Sequence, residues 1–261
     1  MNWFYDVPLW LAGPILALTQ VAIAIAGLIA VRRWVLPKLK ITHEDAHFAG
    51  PMVHSVMVFY GLVLALIAVR VFDSYAETQR IVSTEATTIA AVYRDLGGYP
   101  EPVRGVLQAG VKEYVDQVIH EAWPQMRAGV IPTGGVRRIG VIQAQLAAFE
   151  PTTEGQKIIH AEVMSVFNDF LKVRRQRLDR VHECLPGVLW MVVLLGAAIS
   201  LTASYFFRVD DVRLHAILVS LLALFIATVI LVMYAMDHPF RGDLRLTAES
   251  YQLIYEQLME H

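Results

Sequence analysis

The sequence has 261 residues, 56% of them hydrophobic, with a mean hydropathy of +0.48 and a formal net charge of −2. Apolar residues gathered in blocks on such a chain mark an integral membrane protein, and the near-neutral charge gives no argument for nucleic-acid binding. A single cysteine, Cys184, excludes an internal disulfide and a Cys-x-x-Cys metal or redox site, and reads as a small buried residue.

Four blocks free of Lys, Arg, Asp and Glu, at 8–31, 48–69, 186–207 and 214–236, reach the ~20 residues that cross a hydrocarbon core. Trp3, Tyr5 and Trp10 stand where an interfacial aromatic belt belongs. The first block has no positive residue before it and no small-x-small site after it, so it is expected to stay in the mature chain rather than be cleaved. A basic loop follows, with Arg32, Arg33, Lys38 and Lys40, and Pro37 ends the helix.

Thr42 with Asp45 three residues later reads as an N-cap and acidic first turn, so the second helix starts there and runs to Leu96. His43 and His47, one turn apart beside Asp45, form a weak metal-ligand set, for which a solvated helix start is the plainer reading. At 100° per residue, His43, His47, His54, Val58, Gly61, Ala65, Ala68 and Phe72 share one face. This face is polar at one end, small in the middle and aromatic at the other. It suits a pore wall, but on periodicity alone close packing of small residues against neighbouring helices fits it better. His54 is the position where an ion contact or a pH response is expected, and a satisfied packing histidine is an equal alternative.

Beyond Asp73 the helical period continues in polar residues until Gly97 and Gly98 break it. Helices are expected over 101–123, ended by Pro124, then over 136–149, and over 154–185 after a start at Thr152-Thr153-Glu154. The last carries Lys172, Arg174, Arg175, Arg177 and Arg180, which read as a cytoplasmic anchor on anionic lipid. A slight excess of Lys and Arg puts this helical part in the cytoplasm. The third and fourth blocks form a hairpin, and a turn around Asp237, Pro239 and Gly242 precedes a final helix. The expected divisions are a membrane hairpin at 1–72, a cytosolic helical domain at 73–184, a second hairpin at 185–236 and a cytosolic turn and helix at 237–261. No phosphate loop, His-Glu-x-x-His or nucleophile elbow is present, so no enzyme and no cofactor are expected.

Two local patterns resemble the bestrophin family. The first is Val69-Arg70-Val71-Phe72-Asp73-Ser74-Tyr75, with an aromatic and an arginine shortly before Ser-Tyr. The second is Asp237-His238-Pro239-Phe240-Arg241-Gly242-Asp243, similar to the acidic Asp-Pro-Phe-Gly-x-Asp turn. The chain looks closest to the prokaryotic bestrophin-like group of unknown function, with Glu85-Ala86, Arg177-Leu178, Leu185-Pro186 and Trp190 also in place.

The resemblance implies an all-α membrane protein with four transmembrane helices and a large cytosolic helical insertion between the second and third. It implies a homo-pentamer in the inner membrane whose second span lines an ion pathway. Bestrophins proper mostly pass anions, and some bacterial members pass cations. The pore positions carried over are His54, Val58, Gly61, Ala65, Val69 and Phe72. Arg70, Ser74, Tyr75, Asp237, Pro239, Phe240 and Gly242 are the structural motif residues. Gly61, Ala65 and Val69 stand where bestrophins carry bulkier neck residues, which widens the constriction, moves it to Phe72, or leaves a face that only packs. The acidic calcium-binding run of animal bestrophins has no counterpart after Gly242. The alternative function is a membrane-anchored sensor or scaffold that oligomerises without conducting.

Overall fold

The protein's structure, a computed structural model, describes residues 7–39, 43–207, 209 and 211–259, with the backbone alone for 43–49. It is built from α-helices, and no strand occurs among the described residues. The chain divides into two compact units. The first takes Met1–Ser74 and Cys184–Asp237, and the second Tyr75–Glu183 and His238–His261.

In the first unit α1 (Leu9–Ala30) continues through a π turn, Val31–Val35. The helix α2 (His43–Asp95) is a single run of 53 residues. At 1.5 Å per residue that is about 80 Å, far more than the ~30 Å of a hydrocarbon core. The third and fourth apolar blocks form α7 (Gly187–Tyr205) and α8 (Val212–Met236). Four helices are thus long and apolar enough to cross a membrane. The Thr42 cap, Trp3, Tyr5 and the side chains of His43, Asp45 and His47 lie outside the described residues.

Helix α1 packs on α8 and α7 through Ala24 and Leu28 against Ala197, Leu201, Val219 and Ala223. Gly27 makes this approach possible, since a Cβ there would come within 2.7 Å of the Tyr205 hydroxyl. Helix α2 packs through Leu64, Ile67 and Val71 against Leu185, Val193 and Met233. Gly196 lies under the Tyr60 ring, whose hydroxyl donates to the Val193 carbonyl at 3.1 Å. The close approaches that small residues permit are therefore made at Gly27 and Gly196. At Gly61 a Cβ would meet nothing within 4 Å.

The second unit comprises the far part of α2, then α3 (Val103–Gln117), α4 (Trp123–Arg127), α5 (Gly134–Ala147), α6 (Glu154–Asp179) and α9 (Glu249–Ile254). Its core joins Ile89, Val92 and Leu96 to Leu107, Val111, Ile142, Phe167 and Phe170. A capping box starts α6: the Thr153 hydroxyl accepts from Gln156 N at 3.2 Å, and Gln156 Oε1 accepts from Thr153 N.

Three expectations are corrected. Pro124 does not end a helix: a π turn, Val118–Ala122, leads into α4, where Pro124 sits in the first turn and its missing N–H costs nothing. Helix α6 stops at Asp179 rather than 185, because a turn over 180–183 intervenes and Pro186 cannot prolong a helix. Cys184 lies in that connection and is exposed, not buried.

Candidate functional site

Helix α2 turns only one side toward its own chain. Leu64, Ile67 and Val71 are buried, whereas the face one third of a turn away is open. On it His54, Gly61 and Ala65 are exposed, and Val58, Val69 and Phe72 have relative exposures of 56%, 57% and 56%. Ala68, at its edge toward the packed side, is partly covered beside the Leu64 cluster. Packing within one chain thus does not use this face, and what covers it lies outside the single chain. Leu62, Leu66 and Phe59, further round, are also exposed. Leu62 lies about 20° from Val69, so these positions continue one open surface.

Arg70 is exposed, and it is not paired with Glu77, whose carboxylate faces Arg80 at 3.6 Å. The neighbouring motif residue Tyr75 donates its hydroxyl to the Leu244 carbonyl at 2.8 Å. In this way the last residue of the first pattern is bonded, within the second unit, to the residue that follows the second pattern. Phe240 is buried edge-on to Trp123, ring centroids 5.8 Å apart, and the Trp123 indole N–H donates to Leu246 O at 3.2 Å. A bond from Leu246 N to Pro239 O at 2.7 Å closes the turn, and Gly242 takes φ +72°, a region that favours glycine.

Asp237, the last residue of the first unit, is 8% exposed. Its carboxylate accepts from Leu185 N at 2.6 Å and from the Trp190 indole N–H at 3.2 Å. It thereby ties the end of α8 to the start of α7, where the residues just before a helix leave backbone donors to satisfy. Asp237→Asn keeps the shape but weakens both acceptor contacts. It is expected to lower stability by about 1–3 kcal/mol, and a thermal midpoint equal to the native one would refute this role.

The second unit encloses an ion pair that sequence reading missed. Arg177 and Glu85, with side-chain exposures of 1% and 0%, meet in two bonds, Nε to Oε2 at 2.6 Å and Nη2 to Oε1 at 3.1 Å. The Tyr114 hydroxyl donates to Oε1 at 3.1 Å. The guanidinium lies 5.9 Å from the ring centroids of both Trp123 and Tyr251. Burial alone would favour neutral arginine, but the Glu85 charge outweighs it and holds Arg177 well above its ordinary pKa. Burial, then the Glu85 charge, push the Tyr114 and Tyr251 phenols up from theirs. Arg177 is thus withdrawn from the expected lipid anchor, because it points into the core, whereas Lys172, Arg175 and Arg180 form pairs with Asp169, Asp179 and Glu183.

A signal for these two residues existed. Val163, Phe167 and Phe170 form the buried stripe of α6, and three- and four-residue steps from them reach Arg174 and Arg177. Glu85 likewise falls between Val82 and Ile89 on the buried stripe of α2. A charge on an apolar stripe of each of two helices predicts a buried pair. Among the described residues no group of three or more His, Cys, Asp and Glu is placed to hold a metal.

Four membrane-spanning helices, one prolonged far beyond the bilayer with a face left open, and a separate helical unit define an integral membrane protein of a distinct helical class. The chain belongs to the bestrophin-like family, whose domain model matches residues 18–251. It is similar in fold to a bacterial bestrophin homologue from Klebsiella pneumoniae. One structure of that protein has a TM-score of 0.67 at 10% identity, with 94% of this chain and 97% of the other covered. A point variant gives 0.69 at 9%, covering 95% and 99%, and another gives 0.66 at 11%, covering 95% and 98%. Comparison with curated protein sequences gives no match.

Proposed function

We propose that the chain is one subunit of an oligomeric ion channel in which α2 lines the ion pathway. The observation that carries this reading is the open face of α2, with His54, Val58, Gly61, Ala65, Val69 and Phe72 all exposed while the side one third of a turn away packs within the chain. Copies around an axis would bring these faces together. The apolar side chains Val69 and Phe72 then form a constriction that gates by dewetting, and His54 meets water or ions at the other end. Membership of the bestrophin-like family supports the channel reading, and the family resemblance favours a pentamer and anions over cations. The helical part at 73–184 is assigned to the cytoplasm of a cell with the spans in the inner membrane.

Recording from purified protein in a planar bilayer under a potassium chloride gradient tests this. A reproducible current is expected, with a reversal potential displaced toward the chloride equilibrium value. Displacement toward potassium would keep the channel and overturn the anion preference. Silence from folded, oligomeric protein would favour the scaffold reading, in which the same face only packs against other copies.

A further inference from the structure

The start of α3 and the end of α5 enclose a groove of about 320 Å³, walled by Val103, Val106 and Leu107 of the first helix and by Ala148 and Phe149 just past the second. Leu107 is buried, whereas Val106 and Ala148 are exposed, so the hydrocarbon opens to water. Phe149 is held in place by Tyr99 and His160, whose ring centroids lie 4.7 and 5.6 Å from its own. Those two side chains are in turn hydrogen-bonded, Tyr99 hydroxyl to His160 Nδ1, at 2.6 Å. A guest therefore finds the aromatic wall already in position.

The polar groups at the two helix ends are unequally matched. At the start of α3 the Glu101 carboxylate accepts from Gly105 N at 3.2 Å and from Arg104 Nε at 2.9 Å, so a first-turn N–H and the neighbouring guanidinium are both engaged. The last turn of α5 carries no basic residue, and the negative end of its dipole is left without a cation. Glu150 adds to this. It lines the groove just beyond the helix, is exposed, and makes no ion pair among the described residues. Gln145, also on the lining, brings an amide oxygen that can accept a hydrogen bond.

The walls thus favour an apolar body and the rim favours a positive charge. An anion would meet like charge, and a bare metal ion would gain nothing from the hydrocarbon. The volume corresponds to about ten non-hydrogen atoms at the ~30 Å³ that a water-sized group occupies in a liquid. That is the size of a small amine and less than a peptide helix.

We propose that this groove binds a small organic ammonium ion, with its aromatic or aliphatic body between Val103, Val106 and Phe149 and its charge beside Glu150 and the end of α5. The groove lies wholly within the second unit, so the proposal goes beyond the channel reading and does not rest on it.

Ligand-observed fluorine NMR of the purified full-length protein in nanodiscs provides the test. The probe is para-fluorophenethylammonium, the neutral control is para-fluorophenethyl alcohol, and empty nanodiscs are the blank that removes partition into lipid. Saturable binding of the ammonium above the blank is expected, tighter than that of the alcohol. Glu150→Gln is expected to weaken the ammonium about three- to fivefold, the scale of an exposed charge contact, and to leave the alcohol unchanged. Val106→Lys lays a tethered ammonium in the groove and is expected to abolish binding of both, and the Val106 side chain is exposed, so the change does not depend on repacking. Val136→Lys, exposed near the start of α5 and outside the groove, is expected to change nothing. Alcohol bound as tightly as the ammonium would make the groove a plain apolar contact for a larger partner and overturn the proposal. Absence of saturable binding, or equal losses in Val106→Lys and Val136→Lys, would overturn it as well.

Discussion

Arg177→Met is expected to lower the stability of the protein by about 3–5 kcal/mol, because the change leaves the Glu85 carboxylate charged, dry and without its partner. For a unit of this size that corresponds to a thermal midpoint lower by roughly 10–20 °C. Glu85→Met should be at least as damaging, since it strands a guanidinium between Trp123 and Tyr251. The double replacement should recover most of the loss, as an apolar pair of similar volume needs no desolvation of charge. Circular dichroism of the native, single and double variants closes the cycle. If the double variant lost as much as the two singles added together, the pair would be two independent contacts and the buried-pair account would be wrong.

The second large effect is expected at the constriction. Val69→Ala with Phe72→Ala removes the two exposed apolar side chains at the aromatic end of the α2 face. In the proposed channel it lowers the barrier to wetting, and a reduction of ~1.4 kcal/mol would raise leak conductance about tenfold. Phe59→Ala, exposed about 80° round the same helix from Val69 and about 140° from Phe72, should leave conductance near the native value. Unchanged current in the Val69/Phe72 double variant, with the native protein conducting, would remove these residues from the pathway. An equal rise from Phe59→Ala would mean that the ions follow a different face.

These two results concern one helix in two settings. Near Val69 the helix is defined by what its chain leaves uncovered, and near Glu85 by what its chain covers completely. The carboxylate anchors α2 to α6 within the second unit, so loss of the pair loosens the far part of the helix that carries the open face.

Much of the architecture follows from local sequence. Four long apolar runs without charge become four helices because a backbone in hydrocarbon must satisfy its own hydrogen bonds. The persistence of the 3.6-residue period past Asp73 makes α2 one helix through residue 95, and Thr153 with Gln156 starts α6 by a mechanism confined to four residues. The turn at Gly242 is equally local, since its backbone needs a positive φ.

Tertiary structure alone decided which of these residues meet. Glu85 and Arg177 are 92 positions apart, and Asp237 reaches back 52 to Leu185, distances over which no periodic pattern carries information. A cluster of five basic residues looks like a surface when read as composition, yet one of them is enclosed in the core of the second unit, because a helix assigns its residues to faces by angle and not by kind. The same holds for Gly61 and Gly196. Both are small residues in apolar helices, but only the fold determines that a tyrosine ring rests on one while the other faces outward from the chain.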